Sequence, residues 1–121
     1  MAVELEVLPG ERITIYRVSE DHESVTSVPE GLAATEALFR LVHGPVFHII
    51  DLGGWTRSLP EAIRSLKRVM FDSRLMYDPR VNIVIVGDVE QPQRSDIGHI
   101  FSSRDAAIHY ARRHIAMITY H

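Results

Sequence analysis

Two short apolar runs separated by one helical segment constrain this chain more than any other feature. "VFHIIDL", Val46 to Leu52, and "NIVIVGD", Asn82 to Asp88, are almost unbroken in aliphatic and aromatic residues. Runs of this length without polar alternation suit strands covered on both faces, the usual state of a parallel sheet. Between them, "SLPEAIRSLKRVMFDSRL" repeats Leu59, Ile63, Leu66 and Met70 at helical spacing, with Arg64, Lys67 and Arg68 largely turned away. Ser58, with Glu61 three residues on, forms a capping-box pattern that predicts a sharp helix start. Strand, helix and strand at this separation make a βαβ unit with parallel strands and a right-handed crossover.

The flanking segments extend that unit. "VELEVLP" alternates Val3, Leu5 and Val7 against Glu4 and Glu6, which predicts a half-buried strand. "RITIYRVS" sets Ile13, Ile15 and Arg17 against Thr14, Tyr16 and Val18, and its β-branched content predicts a second strand. Pro9-Gly10 between them predicts an antiparallel hairpin. "EGLAATEALFRLVH" places Leu32, Thr35, Phe39 and Val42 on one helical face with Leu38 beside them, and Gly44-Pro45 is the expected stop. "VEQPQRSDIG" reads as a polar connection with room for at most one helical turn, and "HIFSS" as a short last strand. Ser103 then caps a helix whose stripe is Ile108, Ala111, Ile115 and Ile118. The expected fold is α/β, with elements in the order β-β-α-β-α-β-β-α: one mixed sheet with helices packed on it.

A chain of 121 residues, 45% hydrophobic and 24% charged, fits one globular domain spanning 1–121. The net charge of −3 speaks against a dedicated nucleic-acid binder. That charge is divided unevenly. Residues 1–56 hold three Lys/Arg against nine Asp/Glu, and residues 57–121 hold ten against seven. Arg57, Arg64, Lys67, Arg68 and Arg74 gather around the central helix, either as a solvated face or as a docking face for an acidic partner. Without cysteine there is neither a disulfide nor a thiolate metal site. No segment has the form of a signal peptide or a membrane span, so the expectation is a cytoplasmic protein.

The residues that bear chemistry concentrate in "HIIDLGGWTRSLPE". Asp51 and Asp88 both end predicted parallel strands, at the sheet edge where α/β proteins bind ligands. They could act as acid and base, with His48 or His99 in support, or merely accept backbone N–H groups. Gly53 and Gly54 could open backbone N–H groups to an anion, although neither a dinucleotide fingerprint nor a P-loop is present. Trp55 is the single tryptophan, either covering the core or exposed as an anchor. Among seven histidines, His109 and His114 are five apart, which is not ligand spacing on a helix, and no metal or cofactor is expected.

With these elements placed, the chain resembles STAS-type domains, the fold of bacterial anti-sigma-factor antagonists, and most of all short stand-alone STAS-like proteins. The resemblance is carried by the N-terminal strand pair, "VFHIIDLGGWT", "YDPRVNIVIVGD" and "IFSSRDAAIHYARRHI". It implies a non-enzymatic regulatory module that docks a protein partner of kinase or sigma-regulatory type. The docking face would be the loop Asp51–Ser58, comprising Asp51, Gly53, Gly54, Trp55, Thr56, Arg57 and Ser58, with Asp88 beside it. The family phosphoacceptor falls by position on Ser58, with Thr56 second, but "WTRSLPE" lacks the family's Asp-Ser-Ser-Gly. "VEQPQRSDIG" also stands where relatives carry a whole helix, which leaves a groove or a face for homodimerisation. The alternative is a nucleotide or lipid binder using the rim near Asp51 and Asp88, or that groove.

Overall fold

The computed structural model describes residues 5–19, 27–40, 44–53, 55, 58–70 and 80–119. Six strands form a single mixed sheet: β1 (Leu5–Val7), β2 (Ile13–Arg17), β3 (Val46–Asp51), β4 (Val81–Val86), β5 (Gln93–Arg94) and β6 (His99–Phe101). Among the described residues three helices accompany them: α1 (Val28–Leu38), α2 (Leu59–Met70) and α3 (Arg104–Thr119). The strand order across the sheet is β1-β2-β3-β4-β6-β5. Strands β2, β3, β4 and β6 run parallel, and the edge strands β1 and β5 pair antiparallel to their neighbours.

The alternation of side chains divides the core into two layers. Tyr16, Ile50, Ile83 and Ile85 face α1 and α2, meeting Leu32, Leu66 and Met70. Ile13, Ile15, Phe47, Ile49 and Val84 face α3, meeting Ala107 and Ala111. Both βαβ crossovers, β2-α1-β3 and β3-α2-β4, advance in the same direction and lay their helices on the same face, as a single handedness requires. Helix α3 covers the opposite face through Ala107 and Ala111, with Ile108 and Ile115 partly buried beside them.

Several expectations need correction. Strand β1 is less buried than expected, since Val7 is exposed, whereas Ile13, Thr14, Ile15 and Tyr16 of β2 are all inside. Strand β2 lies second in the sheet and is covered on both faces. Helix α1 stops at Leu38, where Phe39 N–H bonds the carbonyls of both Thr35 and Glu36. Leu38 is consequently exposed instead of packed, and Val42 lies outside the described residues. The polar connection "VEQPQRSDIG" contains the extra strand β5, so the described residues hold nine elements where eight were expected of the chain. Of the basic cluster, Arg64, Lys67 and Arg68 lie on α2 and are exposed, and Arg57 and Arg74 lie outside the described residues.

One buried polar group lies within the α1/α2 layer. His48 is fully enclosed, and its Nδ1 is 2.8 Å from Thr14 Oγ1 and 2.9 Å from Thr35 Oγ1. The two hydroxyls are 2.9 Å apart, and Thr35 donates to the Gly31 carbonyl at 3.0 Å. With Thr35's proton given to Gly31, the cluster closes best when Nδ1 carries the imidazole proton. Nε2 then needs only to be a bare lone pair, and it has no hydrogen-bond partner. Burial pushes the His48 pKa down to about 4. The unfolded imidazole, near its ordinary 6.5, therefore binds a proton that the folded protein refuses. Stability conferred by neutral His48 is complete above pH ~6.5 and declines as pH falls towards 4, by about 3 kcal/mol. Urea titrations across pH 4 to 7 should show this loss in the wild type. The curve for His48→Leu should be flat by comparison, and parallel curves would overturn the assignment.

Candidate functional site

The carboxyl ends of the parallel strands form the rim on which the candidate residues lie. Hydrogen bonding continues past the strands there. Val18 N–H donates to the Asp51 carbonyl at 2.9 Å, Leu52 N–H to Val86 at 2.8 Å, and Gly87 N–H to Phe101 at 2.9 Å. The rim is therefore a rigid ledge from which the loops project.

Asp51 does not stand on that ledge as an open carboxylate. It is 6% exposed, and its side chain lies on the α3 side of the sheet with Phe47 and Ile49. Oδ1 accepts Gly53 N–H at 2.8 Å, which closes a turn. Oδ2 accepts Arg104 Nε–H at 2.5 Å, and Arg104 also reaches Glu6 at 3.2 Å. The hydrogen bond that Arg104 donates to Asp51 raises the Arg104 pKa further. A carboxylate with both oxygens engaged is a structural clasp. Of the two readings of Asp51, the acceptance of a backbone N–H is the one seen here, while Asp88 is exposed and lines the rim cavity.

Trp55 is partly buried and packs against the α1/α2 layer. Its indole N–H donates to the Val18 carbonyl at 2.5 Å, and its backbone N–H donates to Leu52 at 3.2 Å. The ring thereby straps the loop to the end of β2 and presents one side outward. Ser58 is exposed and caps α2, its Oγ accepting Glu61 N–H at 3.4 Å and its carbonyl accepting Ala62 N–H at 3.1 Å. Gly54, Thr56 and Arg57 lie outside the described residues. The structure thus brings Gly53, Trp55 and Asp88 to one cavity of about 320 Å³, completed by Leu52, Leu59 and Ser102. Its back wall depends on Gly87, where a Cβ would sit 3.0 Å from Leu59 Cδ1.

Sequence reasoning missed Ser102, Gly87 and Arg104. "GD" and "SS" after strand-like runs were the available signal for the first two. Arg104 opens a predicted helix, 53 residues from its partner, and nothing local marks the pairing. Elsewhere, His99 Nδ1 lies 2.6 Å from Tyr110 Oη, in an aromatic cluster with Phe101 and His114. Burial, then Arg94 and His114, hold the His99 pKa below its ordinary value. Among the described residues, no group of three or more His, Asp or Glu could hold a metal ion. No helix there is long and apolar enough to cross a membrane.

In comparisons with known proteins the chain matches no family model, no curated protein and no solved structure.

If Asp51 is a clasp, its loss should appear in stability. Asp51→Ala should cost about 2 kcal/mol in urea unfolding, since it removes the buried acceptor of both the Gly53 N–H and the Arg104 guanidinium. Asp88→Ala should stay within ~0.5 kcal/mol.

Proposed function

We propose that this protein is a STAS-like, non-enzymatic interaction module of the cytoplasm. It would dock a protein partner through the rim loop Asp51–Ser58 and the first turn of α2. The observation that carries this reading is the construction of the rim. Trp55 is fixed from behind by the Val18 carbonyl while part of its ring remains accessible beside a cavity. A pre-positioned aromatic next to a concavity is the usual anchor of a protein interface, because little side-chain entropy is lost on binding. The strand pairing, the two βαβ crossovers and the capped α2 also agree with the architecture expected of a STAS-like domain. Engagement of both Asp51 oxygens weakens the competing hydrolytic reading, which needed a free carboxylate.

A ligand reading centred on the rim has less support. Asp88 is the charged side chain among the described residues lining the rim cavity, and it would repel a nucleotide phosphate.

Ser58 is where a phosphate would act. Asp is as good a helix N-cap as Ser, and a negative charge there suits the helix dipole. Ser58→Ala should therefore cost about 1 kcal/mol and leave docking intact, whereas Ser58→Asp should keep stability and weaken docking. A photo-crosslinker at Ser58, compared with one at Arg113 on α3, locates the contact. Partner crosslinks at Arg113 alone, or equal capture by wild type and Ser58→Asp, would remove the rim from consideration.

A further inference from the structure

Beside the rim, the absence of a helix between β4 and β6 leaves a groove on the α2 side of the sheet. Its volume is about 590 Å³, within the range of small-molecule sites. Leu59, Ile63 and Ile100 form an aliphatic floor, and Arg64, Lys67 and Arg94 stand along its walls. Lys67 Nζ is bonded at 2.5 Å to Asp96 Oδ2, a contact between α2 and the turn of the β5–β6 hairpin. Both partners are well exposed, at 45% and 76%. Arg64 and Arg94 have no ion-pair partner among the described residues.

This arrangement has a chemical sense. Three cations and an apolar floor share one concavity with two acids: Asp96, which neutralises one of the cations, and Asp88, on the part of the lining shared with the rim cavity, so the cations remain in excess. We infer that the groove binds an amphiphile with an aliphatic chain and a single anionic head group, and that Asp96 occupies the head-group position when the groove is empty. The chain would lie on Leu59, Ile63 and Ile100. The head group would take Lys67 from Asp96 and add Arg64 and Arg94. An aliphatic chain fits better than a base or nucleoside, because no aromatic side chain among the described residues lines the groove to stack on a ring. The inference does not rest on the docking proposal, since it concerns a different kind of ligand in a cavity that shares only Leu59 and Asp88 with the rim.

An internal competitor gives the test a distinctive sign. Decanoate and decyl phosphate, kept below their micellar concentrations, would be titrated calorimetrically into the whole protein. Butyrate, inorganic phosphate and decyltrimethylammonium serve as controls. The expected result is saturable binding of one or both decyl anions and none of the controls. Whichever anion binds more tightly identifies the head group as carboxylate or phosphate. Arg64→Ala, on an exposed helical position, should weaken binding about tenfold, as loss of a charge-assisted contact does. Asp96→Asn should tighten it several-fold by removing the competing carboxylate. Weaker or unchanged binding in Asp96→Asn would overturn the inference, as would equal binding of the cationic amphiphile. So would binding of an alternating Glu/Leu peptide without binding of either decyl anion.

Discussion

The Asp51 carboxylate is the interaction on which the geometry of the rim depends. It ends β3, the central strand of the sheet, whose six residues are all buried. Its two oxygens take donors from different parts of the chain: Gly53 in the loop that follows, and Arg104 at the start of α3. Its carbonyl takes a third, from Val18 at the end of β2. Arg104 carries the tie on to Glu6 of β1. A buried carboxylate is costly unless its lone pairs are satisfied, and here the desolvated partner receives two side-chain bonds while the guanidinium keeps part of its hydration. Four elements are thus held by the most buried acid among the described residues. The same fact takes Asp51 out of any chemistry at the rim.

The polar triad of Thr14, His48 and Thr35 performs a related task in the opposite layer. Thr14 and His48 are directly paired in register between β2 and β3. A one-residue slip of either strand would move its member of the pair to the α3 side, where Ile13, Ile15, Phe47 and Ile49 lie. An apolar core would tolerate that slip more readily than a hydrogen-bonded imidazole does. Thr35 extends the specification to α1, since its hydroxyl meets both partners and closes on Gly31. The site tolerates an unpartnered Nε2 because an acceptor lone pair loses less on burial than a stranded N–H.

The same residues show what local pattern can and cannot reveal. The βαβ unit and its caps were legible, because apolar period and Ser58 and Ser103 are local signals. In β2, Thr14 is a residue type more often found facing solvent. Only its hydroxyl partners, 21 and 34 residues away, explain its burial. Helix α1 read as longer because its apolar period continues through Phe39 and Val42. It ends instead at Leu38, with Phe39 N–H on the Thr35 and Glu36 carbonyls, and just beyond it Arg80 bonds the Arg40 carbonyl at 3.3 Å from 40 residues away. Strand β5, with two exposed residues, has no pattern to display. At the site, Trp55 and Asp88 were recognisable as rim residues. Whether Asp51 was free depended on Arg104, and no spacing announces that.

The two faces of the sheet differ in how firmly they are closed, and this bears on where binding would occur. The α3 side is clasped through Asp51 and bridged again between Arg112 and Glu11 at 2.6 Å. On the α2 side, β6 begins opposite Val84, so the first half of β4 has no strand neighbour there among the described residues. The hairpin turn fills that gap closely: a Cβ on Gly98 would collide with the Ile83 carbonyl. Yet β5 contributes only two residues to the ladder, and the tie from its turn to α2 is the exposed Lys67–Asp96 pair. Exposed ion pairs contribute little to stability and are readily exchanged for other partners. The groove wall is therefore the part of the sheet most easily shifted by a bound anion. Leu59 and Asp88 line both this groove and the rim cavity, so a displaced wall would alter the surface next to Trp55. A ligand in the groove and a partner on the rim would then be coupled through α2's first turn, with the clasped α3 side as the fixed frame.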